Sequence, residues 1–166
     1  MTLPADLLAS LRSMPDQVEA LLRQVPEQRL AWTPDSWEAV PGERFSARGQ
    51  VCHLRDIEVE GYRLRIRRMR DEEAPDLASL DSYALAAANR YDAVDVREAL
   101  AAFRAAREAT LELISPLTGA QLERRGTFAE YGRLSLGGLL HLLASHDAQH
   151  LACLRWLLAK MSGAAC

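Results

Sequence analysis

From Ser135 to Lys160 no proline interrupts the chain, and apolar residues return at alternating steps of four and three. Leu139, Leu143, His146, His150, Cys153 and Leu157 therefore share one stripe of a long amphipathic helix. Such a stripe has to be covered by other elements, so this segment commits the chain to packing helix on helix. Two of its residues are histidines one turn apart. An imidazole that faces a core without a partner costs on the order of a few kcal/mol. His146 and His150 therefore need hydrogen-bonding partners, as ordinary core histidines do, or an ion.

Three more helical patterns precede this one. The first is expected from about Pro4 to Gln24, with Thr2 as its cap and Leu7, Leu8, Leu11, Val18, Leu21 and Leu22 on the apolar face, and Pro26 ends it. Val25 to Phe45 holds Pro26, Pro34, Pro41 and Gly42 and reads as an ordered loop. Trp32 and Trp37 in that loop either plug one end of a bundle or wall a ligand pocket. The second helix starts at Ser46, with Gln50 near the capping-box position, and runs to Met69 or Arg70. Arg63, Arg65, Arg67, Arg68 and Arg70 near its end read as a solvated helix terminus favoured by the dipole and followed by Asp71, Glu72 and Glu73; phosphate binding is the alternative. A long connection with a helical piece around Tyr83 to Asn89 leads to the third helix. That helix starts at Asp95, with Glu98 three residues on, and runs through Leu100, Phe103, Ala106, Leu111 and Ile114 to Pro116. Thr118 and Gln121 open a brief turn, Gly126 to Arg133 forms a short strand pair or a loop, and Ser135 caps the last helix. The tail from Ser162 to Cys166 is expected to fray. The pattern as a whole predicts an all-α fold, a four-helix bundle with long ordered connections, spanning residues 1–166 as a single domain.

Composition narrows the partners. With 166 residues, 49% apolar, the chain can bury a core of its own, and its net charge of −3 gives no reason to expect nucleic acid or an anionic membrane. No apolar run reaches about 20 residues without a charge and no signal peptide opens the chain, so a cytoplasmic protein is expected. Cys52, Cys153 and Cys166 are odd in number and lack metal-type spacing, which argues against a disulfide framework. Cys153 lies on the histidine stripe, where it either packs or approaches a bound ion.

The second helix adds a third candidate ligand. His53 shares a stripe with Ile57, Gly61 and Leu64, and so points inward as His146 and His150 do. The fourth histidine, His141, lies about 140° around the helix from His146 and falls outside this set. Three neutral imidazoles from two facing helices would leave a divalent ion, Zn or Ni, with open positions for water or substrate. Such an ion lowers the pKa of a bound water or thiol. A carboxylate should stand nearby, as general base or to orient a ligand. On an ideal α-helix Glu60 returns to within about 20° of His53 two turns on, and Asp56 is one turn away. Asp147 and Gln149 lie off the stripe. A phosphate-binding glycine loop, a nucleophile elbow and a thiol-protease arrangement are missing, so any chemistry is expected to run through the metal.

The run Phe45-Ser46-Ala47-Arg48-Gly49-Gln50-Val51-Cys52-His53-Leu54-Arg55-Asp56-Ile57-Glu58, with Gly61-Tyr62-Arg63 beyond it, resembles the second-helix motif of the DinB superfamily. Leu140-His141-Leu142-Leu143-Ala144-Ser145-His146-Asp147-Ala148-Gln149-His150-Leu151 is similar to that superfamily's closing motif. The resemblance implies a metal-binding four-helix bundle with His53, His146 and His150 as ligands, commonly a homodimer. Relatives of this kind include thiol-dependent S-transferases that use bacillithiol or mycothiol, and a maleylpyruvate isomerase. It therefore implies transfer of a low-molecular-weight thiol to an electrophilic small-molecule substrate, or a metal-assisted hydrolysis. A bundle that binds a metal or ligand without catalysis is the alternative.

Overall fold

The computed structural model describes residues 3–163, the side chain of Glu130 excepted. Helix α1 (Ala5–Leu22) begins behind Pro4 without a side-chain cap, and Thr2 lies outside the described residues. The second long helix is made of three parts: α2 (Ala47–Asp56), a π-helical turn (Ile57–Tyr62) and α3 (Arg63–Asp71). Its start is fixed by the Ser46 hydroxyl, which accepts from the Gly49 amide. Helix α5 (Val96–Ile114) is capped by Asp95, whose carboxylate accepts from Arg97 and Glu98. Helix α7 (Leu136–Gly163) starts where Ser135 accepts from Gly138. Each of these caps satisfies an amide that the first turn leaves free.

Side-chain contacts give the directions. Arg104 of α5 meets Asp16 and Glu19 of α1, while Arg107, one turn further along α5, reaches Leu11, so these two helices run antiparallel. Arg48 reaches Asp92 just before α5, and Glu58 meets Arg107 within it, so the second long helix runs parallel to α5. Gln50 meets His150, and Tyr62 meets Leu142, which makes α7 antiparallel to the second helix. Helices α1 and α2 sit on one diagonal of the bundle, and α5 and α7 on the other, because each of the first pair packs against both of the second. The order is up-down-down-up, and it explains the long connections: two of the three chain links cross a diagonal.

Those connections carry the minor elements. Between the second helix and α5 lie β1 (Asp76–Leu77) and α4 (Ser82–Ala88), the latter capped by Asp81. Between α5 and α7 lie α6 (Gly119–Leu122), closed by a Thr118–Gln121 capping box, then β2 (Arg125–Phe128) and β3 (Gly132–Ser135). Strands β2 and β3 pair antiparallel from Arg125 opposite Ser135 to Phe128 opposite Gly132, and β1 joins β2 in parallel. The stretch that the sequence leaves open between strand pair and loop is thus a hairpin, and β1 completes a small sheet that periodicity does not announce.

The core is split. One apolar cluster, with Leu11, Ile66, Met69, Phe128, Leu136 and Leu139, fills the end covered by the sheet. The other, with Met14, Val18, Val51, Phe103, Leu154 and Leu157, fills the opposite end under the 25–45 loop. Trp37 stacks on Trp156 there at 5.7 Å, and Trp32 packs on the same cluster, so both tryptophans close that end of the bundle. Between the clusters lies a buried polar layer: Gln50, His53, Glu58, Arg107, Asp147 and His150. Among the described residues, no helix is long and apolar enough to cross a membrane.

Candidate metal centre

Three Nε2 atoms meet in the polar layer. His146 Nε2 lies 3.1 Å from that of His150 and 3.2 Å from that of His53. Helix α7 supplies two of these because residues four apart stack on one face, and α2 supplies the third across an antiparallel contact. Glu43, from the loop before α2, completes the group: one carboxylate oxygen is 3.8 Å from His53 Nε2 and the other 3.6 Å from His150 Nε2. Ligand atoms of all four residues lie within 4.8 Å of one another.

The chemistry of this set fits a divalent cation. Two unprotonated imidazole nitrogens at hydrogen-bonding distance repel unless a proton or a metal stands between them. Burial lowers the pKa of all three rings, that of His146 to about 3, so each is neutral, the form in which an imidazole ligates a metal. Bonds of about 2.0–2.1 Å from one tetrahedral zinc-like ion would set nitrogens about 3.3 Å apart, close to the separations found. Glu43 Oε2 is buried without a hydrogen-bond partner and faces His150. Gln50 Oε1 accepts from His150 Nδ1, which turns that ring's Nε2 lone pair toward the cluster. The Nδ1 atoms of His53 and His146 are buried and find no acceptor among the described residues.

The two carboxylates expected from helical spacing are not brought to the cluster. Asp56 is gripped by Arg55 through both oxygens and also accepts from Asn89; those bonds hold its carboxyl below the usual range against the pull of burial. Glu60 is exposed. The reason is the π-turn: its extra residue per turn shifts the phase after Ile57, so Gly61 takes the inward place that an ideal helix would give Glu60, and Glu58 is buried against Arg107. Leu64, expected on the inward stripe, is 52% exposed for the same reason. His141 is exposed and apart from the cluster. Cys153 is buried next to the loop, its thiol pushed up to about 11, and is outside the group of ligand atoms. Cys166 lies outside the described residues.

Glu43 was missed because a loop has no periodicity. One signal was present: Gly42 beside it has no room for a Cβ, which would sit 2.5 Å from the Gln149 side chain and 3.1 Å from Cys153 Sγ. That close approach seats the loop on α7. Ser82, at the start of α4, donates to Glu43 from the outer side.

Next to the cluster, Arg107 is 1% exposed and forms paired hydrogen bonds to both Glu58 and Asp147. A further N–H goes to the Leu11 carbonyl, which has no helical donor because Pro15 stands four residues on. This layer spaces α1, α5, α7 and the π-turn around the histidines.

A pocket of about 240 Å³ opens from the cluster to the surface. Glu43, His53 and His146 form its floor; Tyr62, Arg65, Phe128 and Tyr131 form its wall. Arg65 corrects the reading of the arginine run as a solvated face, since it is only 5% exposed, whereas Arg68 and Arg70 do pair outside with Glu72 and Asp71.

The comparisons agree with this architecture. The family model of the DinB superfamily matches residues 10–154. The chain is similar, at 20% identity and a TM-score of 0.81, to YfiT from Bacillus subtilis, described as a probable metal-dependent hydrolase with an unusual four-helix bundle topology. The likeness covers 95% of this chain and 86% of that one. Among curated proteins no sequence matches. The family match over most of its length leads to one assignment, with which the four-helix-bundle fold agrees: the chain belongs to the DinB superfamily.

Proposed function

We propose that the protein is a metal-dependent enzyme that transfers a low-molecular-weight thiol to an electrophilic small molecule. The observation that carries this is how few carboxylates stand uncommitted beside the cluster among the described side chains. Of the carboxylates around the polar layer, Asp56, Glu58 and Asp147 are all committed to arginines, leaving Glu43 alone at the cluster. A divalent zinc- or nickel-type ion held by His53, His146 and His150 would supply a Lewis acid that lowers the pKa of a small ligand's thiol or water. A thiol starts near pKa 8.5 and water near 15.7, so the thiol needs far less help from a base. Gln50 fixes the tautomer of His150, burial keeps the imidazoles neutral, and Tyr62 and Phe128 give the pocket wall apolar rings.

Metal-assisted hydrolysis is the second reading, and Glu43 favours it. With Oε2 free of hydrogen bonds, its carboxylate is placed to take a proton from water. The discriminating experiment offers zinc-loaded protein a panel of small thiols with monochlorobimane, and in parallel an ester and amide panel. Conjugation is expected with wild type and lost in H53A, H146A and H150A, each of which should also lose stoichiometric zinc; H141A should keep both. Ester or amide turnover without conjugation would replace thiol transfer by hydrolysis.

A homodimer forms part of the same proposal. Phe103 and Leu111 of α5 are consumed by the core, and exposed Val59 and Leu64 on the π-turn and α3 are the apolar residues we assign to the contact. Sedimentation at micromolar concentration should show twice the 18.4 kDa chain mass, and a single species at that mass would refute the dimer.

A further inference from the structure

The fold buries two arginines, and their surroundings differ in kind. Arg107, 1% exposed, has two carboxylates bound in paired hydrogen bonds. Arg65, 5% exposed, has no carboxylate partner among the described side chains. Its Nε–H and one Nη2–H donate to the Ala78 carbonyl at 3.1 and 2.8 Å, and its remaining three donors have no acceptor among the described backbone and side-chain atoms. Burying a guanidinium is costly unless charge or hydrogen bonds compensate it, so an arginine left in this state marks a place where a counter-charge belongs.

The site is built to hold that side chain in place. Phe128 lies under the guanidinium at 4.4 Å and Tyr62 beside it at 5.6 Å. Gly61 clears the space for it, because a Cβ there would lie 2.9 Å from Arg65 Nη1. Arg65 lines the pocket that has His53, His146 and Glu43 at its floor. The Tyr62 ring centre is 5.6 Å from the His146 ring and 5.6 Å from the Arg65 guanidinium carbon, so about one aromatic ring separates the two ends.

We propose that Arg65 anchors a carboxylate of the molecule that fills this pocket, so that the substrate or co-substrate is a small organic acid with its reacting group held at the histidine cluster. The proposal rests on the metal-dependent reading of that cluster. A carboxylate suits the single fixed fork of one arginine, which presents paired N–H donors to two oxygens. The volume of about 240 Å³ admits a small acid. Burial lowers the Arg65 pKa from its ordinary value, the effect a bound carboxylate would reverse.

The probes are 4-mercaptobenzoate and 4-mercaptobenzamide, which place a thiol and either a charged or a neutral group at opposite ends of one ring. Titrated calorimetrically into zinc-loaded full-length protein, the acid should bind at least about tenfold more tightly than the amide, as a charge-assisted pair supplies. The preference should vanish in R65M and survive in reduced form in R65K, with zinc content unchanged in both. Because the preference belongs to Arg65, it should persist at weaker affinity in chelator-treated wild-type protein, which removes any attraction of the carboxylate to the ion. That arm decides the matter if R65M does not fold. Equal binding of acid and amide, or a preference that survives R65M, overturns the proposal while leaving the metal assignment intact. Failure of wild type to take up zinc would sink the metal assignment instead, and the acid preference of the metal-free protein would still decide Arg65.

Discussion

At the scale of single residues, burial sets the behaviour of the cluster. His53 and His150 are fully buried and His146 is half-buried, and each has its pKa lowered from 6.5. Above about 6.5 these imidazoles are neutral in folded and unfolded chains alike. Below it the unfolded chain takes up protons that the folded one refuses, down to about 3 for His146, so folding stability must fall as the pH drops through that window. Asp147 works in the other direction: burial pushes its pKa up to about 6 against the pull of Arg107, so its protonation cushions the loss. Three imidazoles against one carboxyl settle the sign. Chelator-treated protein should show a lower urea midpoint at about pH 5 than at about pH 7, and H146N should weaken the difference; a midpoint that rises on acidification would contradict the burial argument. The histidines were legible because an i, i+4 pair on an apolar stripe is a local pattern. Glu43 was not, since its position depends on how a proline-rich loop folds back onto α7 and no spacing rule reaches that far.

At the scale of elements, helix starts were readable and helix phase was not. Ser46, Asp95, Thr118 and Ser135 all accept from the amides that a cap should satisfy, because capping is decided within four residues. The π-turn is different. Nothing in Ile57-Glu58-Val59-Glu60-Gly61-Tyr62 breaks the α pattern, yet one extra residue in the turn moves Gly61 inward and Glu60 and Leu64 outward. The turn also puts Gly61 under Arg65, which yields a test of how tightly that site is packed. In an ordinary helix Gly61→Ala would gain up to about 1 kcal/mol from propensity. Here the added Cβ would meet Arg65 Nη1 at 2.9 Å and Ile57 Cδ1 at 3.1 Å. Since Arg65 is tied to the Ala78 carbonyl and stacked on Phe128, it cannot swing aside freely, and overpacking costs about 1–3 kcal/mol. The clash should win: G61A is expected to lower the urea midpoint, and an increase would mean that the guanidinium moves out of the way.

At the scale of the whole molecule, the buried polar layer between two apolar clusters holds the bundle at the spacing the site needs. Helix periodicity predicted four helices and their inward faces, but it could not say which helices lie on a diagonal, nor that Arg107 would cross the interior to join three of them. One clue was in the sequence: Pro15 in the middle of α1 leaves the Leu11 carbonyl without its helical donor, and Arg107 Nη1 fills that place at 2.9 Å. The layer's energetic character follows from what remains when one member is removed. R107M would strand Glu58 and Asp147 as two buried carboxylates and leave Leu11 unpaired, a loss of about 3–5 kcal/mol. Replacing all three partners, as E58L/R107M/D147L, removes the stranded charges and exchanges them for apolar packing, so it should recover at least half of that loss. Urea unfolding of wild type, single and triple variants distinguishes the two accounts. If the triple variant is as unstable as R107M, then it is the ion pairs themselves that stabilise the bundle. If it recovers while its zinc affinity falls, the layer serves mainly to set the distance between α7 and the second helix, on which the meeting of His53 with His146 and His150 depends.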